Sequence, residues 1–331
     1  MRPAISVIVP IFKVERFIER NARQLFMQDM EGVEYIFVDD CSPDNSVAIL
    51  EKVIAEFPDR AAATSILRHE TNKGLPSARN SGLMVAKGEF IFHCDSDDWI
   101  EKDALSQLYN TAVSTDSDVV WCDWYLSFKN NERYMSQAPP AYGQVTGFQL
   151  VKLMLGGRIR FNVWNKLVKR TLYERVDHWF PDGYGMGEDM TMIRLISHAN
   201  KVTYLPSALY HYVQLNPEAY TQNMTPRHLD QLLHNVTQTI QFLKSRYGKA
   251  LDEDIQFFKL NVKLPLLISN DIQSYQRWSD WYPDANAYIK QNPLFNKRIK
   301  FIQYAAVNRQ YWILKLYYHL VIRFIYGVIF K

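Results

Sequence analysis

The chain has 331 residues but only three cysteines, Cys41, Cys94 and Cys122, an odd number without CxxC spacing. This excludes a disulfide frame or a zinc knuckle and points to a reducing compartment. The amino-terminal "MRPAISVIVPIF" carries one Arg, a short apolar run ending at Pro10, and no small-residue cleavage pattern. A first strand that begins almost at once, in a cytoplasmic protein, is therefore expected. No GxxxxGK[ST] sequence occurs, which excludes a P-loop, and "PIFKVER" follows the first strand without a glycine-rich turn. Internal repeats and low-complexity tracts are absent. Charged residues make up 22% against 47% apolar, ordinary globular composition that excludes wholesale disorder. Acidic residues stop at Asp284, whereas Lys290, Lys297, Arg298, Lys300, Arg309, Lys315, Arg323 and Lys331 follow. The tail thus carries +8 and the rest of the chain −5, a split that suits a tail meeting an anionic surface.

Aromatic residues are plentiful at 14%. They suit stacking on flat or sugar-like ligands, but cores and membrane-interface belts use the same rings. Short β-branched runs alternate with amphipathic segments over the first 125 residues. Strands are expected at 5–10, 33–40, 63–69, 89–94 and 117–124, with helices at 14–28, 46–57, 75–86 and 101–114. Strands without internal alternation, separated by helices, predict a mostly parallel α/β sheet covered on both faces. The next hundred residues are less regular, with strands near 161–170, 201–206 and 209–213 and a helix near 189–198. Helices are expected from there on, at 227–246, 252–272, 285–308 and 309–330. The domains expected are a catalytic one over 1–226 and a helical region over 227–331 with a basic amphipathic tail from about 309.

Four strands end in functional-looking residues: Pro10 to Phe12, Asp39-Asp40, His69 to Asn72, and Asp95 to Asp98. Ligands of open α/β sheets bind outside the carboxyl ends of strands, so these clusters should meet on one edge. Asp95, Asp97 and Asp98 crowd three carboxylates into four positions, and a hard divalent cation, Mg²⁺ or Mn²⁺, would cancel their repulsion while bridging to substrate phosphates. Asp97 and Asp98 could equally cap the following helix. A carboxylate at Asp39-Asp40 can accept from a base N–H or from ribose hydroxyls, or can close an Asx-turn. "NKGLPSARNSG" offers Lys73, Gly74, a helix N-terminus and Arg79, all suited to phosphate oxygens. The loop "PDGYGMGEDM" suggests a mobile lid hinge. Glu188-Asp189 behind it offers a general base for an acceptor hydroxyl, or simply an acidic first helical turn. His211 offers a metal or diphosphate contact, or a satisfied, partly buried ring.

The segments "SVIVPIFKVERFIE", "FVDDCSPDNS", "NKGLPSARNSGLMVAKGEFIFHCDSDDW" and "GEDM", spanning residues 5 to about 190 in order, resemble the family 2 glycosyltransferases of GT-A fold. The resemblance implies a Rossmann-like nucleotide-sugar fold, a divalent cation and an inverting mechanism. It implies that Pro10, Phe12 and Glu15 form the mouth of the nucleotide site, and that Asp40, with Asp39, takes the uracil. Lys73, Gly74 and Arg79 would lie along base and diphosphate, Asp95 and Ser96 would contact ribose and donor sugar, and Asp97 would hold the metal. Asp189 would be the base, Glu188 its acceptor-side neighbour, and Trp164 in "FNVWNKLVKR" an acceptor-stacking ring, unless it is a core Trp. Phe12 departs from the Tyr of many members, which keeps the stacking but removes a hydroxyl. A nucleotidyltransferase and a non-catalytic nucleotide-sugar binder are the competing readings.

Residues 311–331 are apolar nearly all round except for Lys315, His319 and Arg323 at i+4 spacing. A membrane-spanning helix would bury Arg323 at a cost of roughly 2.5 kcal/mol or more. A helix lying on an anionic membrane fits better, and docking on the domain or on a dimer partner is the alternative. The expected partners are a nucleotide-sugar donor, a saccharide or lipid-linked acceptor and the inner face of the cell membrane, and no nucleic acid.

Overall fold

The computed structural model describes residues 2–140, 145–176, 179–216 and 225–329. Its sheet contains β1 (Ile5–Ile11), β2 (Val33–Asp39), β3 (Thr64–Arg68), β4 (Phe90–His93), β5 (Trp99–Ile100), β6 (Val119–Ser127), β7 (Glu132–Met135), β8 (Lys166–Lys169) and β9 (Val202–Val213). The helices are α1 (Ile18–Phe26), α2 (Ser46–Glu56), α3 (Pro58–Ala61), α4 (Leu75–Val85), α5 (Ala104–Thr115), α6 (Gly147–Leu155), α7 (Arg170–Tyr173), α8 (Thr191–Ser197), α9 (Pro226–Tyr247), α10 (Asp252–Lys263), α11 (Ile272–Asp280), α12 (Lys297–Val307) and α13 (Tyr311–Tyr317).

Strand order is β3-β2-β1-β4-β8-β6-β9-β5, with β7 paired to β6. Strands β3, β2, β1 and β4 run parallel, as their continuous apolar sequences require of strands covered on both faces. Beyond β4 the sheet becomes mixed, because β8 runs antiparallel to both β4 and β6. Pairing of Ile11 with Asp39 and of Asp39 with Arg68 brings the ends of β1 to β3 level. His93 pairs with Ile8, so the chain from Cys94 to Asp98 continues past β4 along the same edge. The four expected clusters do converge there.

Several elements differ from expectation, among them the helix expected over 285–308, which is α12 at Lys297–Val307 preceded by a 3₁₀ turn at Pro283–Tyr288. The segments 201–206 and 209–213 form one strand, β9, whose register against β6 slips where Leu205 opposes Cys122 and Ala208 opposes Asp123. Pro206 lies in that slip, where a residue without an N–H is tolerated. The helix expected over 252–272 stops at Lys263 because Pro265 follows, and α11 restarts where the Asp271 carboxylate accepts from Gln273 N and Ser274 N.

The chain forms two compact units, Met1–Val151 with Arg160–Thr239, and Lys152–Ile159 with Ile240–Lys331. The first is built on the sheet, with Val7, Val9, Phe37, Phe92 and Trp124 in its core. The second packs around Tyr275 and Trp278, and holds the buried Lys263 ammonium 4.1 Å from the Trp278 ring. Burial lowers that lysine to about 7. No helix among the described residues is long and apolar enough to cross a membrane.

Candidate active site

The sheet edge is organised first by Asp40, 2% exposed at the end of β2. Its Oδ1 accepts from Lys73 N at 2.8 Å and lies 2.6 Å from His69 Nδ1, while Oδ2 accepts from Gly74 N at 2.7 Å. His69 Nε2 continues to Ser81 Oγ at 2.8 Å. Asp, His and Ser thus line up at the spacing of a hydrolase triad, but the carboxylate is spent on two backbone N–H groups. The assembly braces β2, β3, the 72–74 turn and α4. Gly74 has φ +88°, a left-handed conformation suited to glycine. This corrects the expectation that Asp40 receives a base. Asp39, by contrast, gives one oxygen to Ser42 N at 2.8 Å, and its other oxygen makes no hydrogen bond among the described residues. Asp40→Asn cannot accept from both N–H groups, so it should destabilise the protein by about 2–3 kcal/mol and weaken donor binding. Thermal unfolding and donor titration check this, and an unchanged melting temperature would discount the brace.

Phe12, just past β1, is 41% exposed, whereas Pro10 is buried within the strand. The turn at Phe12 is pinned by Lys13 N donating to Ser42 Oγ, and Glu15 accepts from Asn45 N. Lys13 and Cys41 both hold positive φ, so the turns after β1 and β2 are conformationally strained and tied to one another.

After β4 the three carboxylates separate. Asp98 is locked, since its oxygens accept from Tyr210 Oη (2.7 Å) and Val213 N (2.7 Å) of β9. It does not cap α5, which begins at Ala104. The buried Asn21 amide donates to Asp95 O and Asp98 O, fixing the turn from α1, and Ser96 is buried within it. Asp97 accepts from Asn216 Nδ2 at 2.9 Å with one oxygen. Burial, and then the neighbouring Asp95, push its carboxyl up to about 6.

Asp95 leads to the centre of the site. Arg79, on α4 and only 1% exposed, donates through Nη2 to Asp95 Oδ1 at 2.9 Å and lies 3.5 Å from Glu188 Oε1. Its guanidinium also lies 5.5 Å from the Phe180 ring centre. Burial and the adjacent Asp189 hold Glu188 well above the usual carboxylate range. Asp189 is itself raised to about 6 by burial, against the lowering influence of Arg79 and Lys166. Lys166 is buried and donates to Arg160 O, Asn162 O and Asn165 Oδ1. One cation from α4 therefore joins the carboxylate at the end of β4 to the pair at 188–189, which a sequence separation above 90 residues had kept apart.

Against known proteins, the profile of Glycosyl transferase family 2 matches residues 6–176, just over half of the chain. The chain belongs to glycosyl transferase family 2. Among curated relatives of this family 2 enzyme, the uncharacterized glycosyltransferase EpsJ of Bacillus subtilis is 29% identical over 276 residues, covering 82% of this chain and 78% of its own. The glycosyltransferase GlyG of Streptococcus pneumoniae is 29% identical over 227 residues, covering 64% of this chain and 71% of its own. Among solved structures, Staphylococcus aureus TarS 1–349 in complex with UDP-GlcNAc superposes with a TM-score of 0.72 at 20% identity, covering 97% and 92% of the two chains. The Pyrobaculum calidifontis mannosyltransferase PcManGT, solved with GDP-Man and Mn²⁺, gives 0.53 at 16% identity, covering 95% and 88%. These likenesses establish the GT-A fold, and the family establishes a nucleotide-sugar glycosyltransferase.

Within this family 2 enzyme, three expectations for the site fail on packing. Trp164 is 5% exposed, stacked on Tyr210 at 4.4 Å and on Tyr212 at 5.4 Å, with Trp124 edge-on at 5.1 Å. It is a core ring and has no face for a sugar. His211 places Nδ1 2.8 Å from Glu132 and Nε2 2.9 Å from Glu101, and its ring is sandwiched between Trp99 and Tyr125. Both nitrogens are engaged, so it is not a metal ligand. The glycine-rich loop, expected as a mobile lid hinge, has its backbone fastened by Gln231 and Asn235 of α9.

A divalent metal, common in the family, meets suitable residues here. Asp97 accepts from Asn216 Nδ2 through one oxygen, and burial and the neighbouring Asp95 raise its carboxyl. Among the described residues no group of three His, Cys, Asp or Glu side chains could hold a metal unaided.

Proposed function

We propose that this enzyme transfers a sugar from a nucleoside diphosphate donor, most naturally a uridine one, to a hydroxyl of a saccharide or lipid-linked saccharide acceptor, with inversion. The observation that carries this reading is the Arg79 bridge, which joins the donor-side carboxylate Asp95 to the acceptor-side pair Glu188-Asp189. Phe12 offers an open ring to the base, and Asp39 the free acceptor oxygen that Asp40 lacks. Lys73, exposed beside Gly74, faces the diphosphate. Asp97 would hold the cation, which when bound supplies charge neutralisation to the departing diphosphate. Asp189 takes the proton from the acceptor hydroxyl. The hydroxyl oxygen then forms a bond to the anomeric carbon as the bond to the diphosphate oxygen breaks, and the diphosphate leaves with the electron pair.

Donor hydrolysis and calorimetric titration across a panel of uridine, guanosine and other nucleotide sugars, with nucleoside triphosphates alongside and with or without Mn²⁺, test the assignment. Binding and slow hydrolysis of a nucleotide sugar support it. Turnover of a triphosphate with release of pyrophosphate would favour a nucleotidyltransferase, and tight donor binding without any turnover a non-catalytic binder.

The second unit carries a surface that suits the acceptor's expected location. Phe301, Tyr304 and Val307 stand exposed along α12, and Trp312 (67% exposed), Leu316 and Leu320 repeat at i+4 through and beyond α13. Lys297, Arg298, Lys300, Lys315 and Arg323 flank them, with no carboxylate in that stretch. Exposed rings and aliphatic side chains among cations match an anionic lipid surface. Replacing Trp312 and Leu316 together by Ser should weaken partition onto vesicles containing phosphatidylglycerol at least about tenfold, from the apolar burial lost. An unchanged partition in a flotation assay would remove this surface from membrane contact.

A further inference from the structure

Helix α9 opens the helical part of the chain, yet its first half belongs to the compact unit built on the sheet. Three of its side chains, at i, i+3 and i+4, meet one loop. Gln231 donates through Nε2 to Gly183 O at 2.9 Å, and its Oε1 accepts from Met186 N at 3.3 Å. Asn235 donates through Nδ2 to Tyr184 O at 2.8 Å and Met186 O at 2.9 Å. Between them His234 stacks on the Tyr184 ring, 3.8 Å between centres and 14° from parallel. On the other side, Asn80 of α4 donates to Phe180 O and accepts from Phe180 N, and Ser77 Oγ donates to Asp182. At Gly187 the chain adopts φ +87°, and a Cβ there would stand 3.1 Å from Leu232 of α9. Glu188 follows at once.

A five-residue stretch with three glycines, Gly183, Gly185 and Gly187, would ordinarily sample many conformations. Here Met186 has both backbone groups taken by α9, two positions before Glu188 and three before Asp189. Gln231 and Asn235 are themselves buried, and a buried amide whose hydrogen bonds are satisfied fixes the groups that it joins.

We propose that Gln231 and Asn235 are positioning residues for glycosyl transfer, holding the 183–187 loop so that Asp189 is set before the acceptor arrives. The proposal rests on reading Asp189 as the base. Sub-ångström placement of a proton acceptor matters because a displacement of about 1 Å can cost about a hundredfold in rate. Burial raises the Asp189 carboxyl, and a loosened loop would admit water to it. The groups that face Asp189 are Arg79, Asp95, Lys166 and Glu188, and none of them belongs to α9.

The test compares the full chain with Asn235→Asp and Gln231→Glu, using donor and acceptor kinetics, donor titration and the pH dependence of kcat. Asn235→Asp keeps the shape but points carboxylate oxygens at two carbonyls. Gln231→Glu keeps the acceptor for Met186 N and loses the bond to Gly183 O, so it is the milder change should the first variant not fold. Asn235→Asp should lower kcat about tenfold to a hundredfold with donor affinity held within about twofold. The acid limb of its pH profile should move down, as Asp189 gains water and its carboxyl returns toward the ordinary range. Gln231→Glu should show the same pattern more weakly. Unchanged kcat and acid limb in folded variants, or a loss matched by an equal loss of donor binding, would overturn the proposal. If instead Asp189→Asn keeps full activity, the base assignment fails, whatever the α9 variants do.

Discussion

Asp189→Asn should lower glycosyl transfer by about 10²–10⁴-fold, the usual contribution of a positioned general base, with donor affinity within about twofold of the parent. The amide fills the same volume but cannot take a proton at neutral pH. Stability should not fall, because one negative charge leaves a cluster in which Asp95, Glu188 and Asp189 crowd a single guanidinium. The wild-type acid limb should follow the raised carboxyl of Asp189, about 6, with activity falling as pH drops through that value and the base is protonated. Glu188 provides an internal contrast. Burial beside Asp189 keeps its carboxyl well above the usual range, and its Oε1 lies 3.5 Å from the Arg79 guanidinium, which places it in the bridge and leaves the base role to Asp189. Glu188→Gln should therefore retain most of the transfer rate. Equal losses in the two variants, measured as single-turnover rates with saturating donor, would take the base role away from Asp189.

The parallel half of the sheet was legible in the sequence because buried parallel strands read as unbroken apolar runs and the chemistry follows their ends. The register of Ile11, Asp39 and Arg68 only made that edge level. Which member of an acidic pair faces a ligand was not legible. Asp39 and Asp40 are neighbours, and Asp40 is withdrawn by N–H groups at positions 73 and 74, more than thirty residues on. The choice between ligand contact and packed ring at Trp164 and His211 was not legible for a related cause. An aromatic or imidazole ring in an irregular segment looks like a ligand platform until cross-strand neighbours such as Trp99, Tyr125 and Tyr210 cover it. The loop clasp left no local mark at all. Gln231 and Asn235 occupy polar positions of an amphipathic helix, where a solvated face is the ordinary use. The first half of α9 thus serves the catalytic unit although its sequence announces only a helix.

Arg79→Met should be the most damaging single change to the folded state. Its guanidinium is buried, and removing one partner of a buried ionic group leaves uncompensated charge at a cost of about 3–5 kcal/mol. For a unit of this size that lowers the melting temperature by roughly 10 °C. The pH dependence separates charge from packing. Without the cation, Glu188 and Asp189 both favour the protonated form, so their carboxyls, already raised in the folded state, rise further above the unfolded values. The folded protein then binds more protons than the unfolded chain between those two values, and stability falls as pH rises through that window. Its lower edge is the ordinary carboxylate value, near 4, and its upper edge lies above the value of about 6 that Asp189 has already in the parent. The deficit of Arg79→Met should accordingly be largest near pH 8 and shrink toward pH 4.5 in paired thermal melts. Arg79→Lys, which keeps the charge on a shorter side chain without the planar guanidinium that lies against Phe180, should fall between parent and Met. A deficit of the same size at every pH would mean that Arg79 stabilises through its packing on Phe180 and not as the counter-charge on which the 188–189 pair depends.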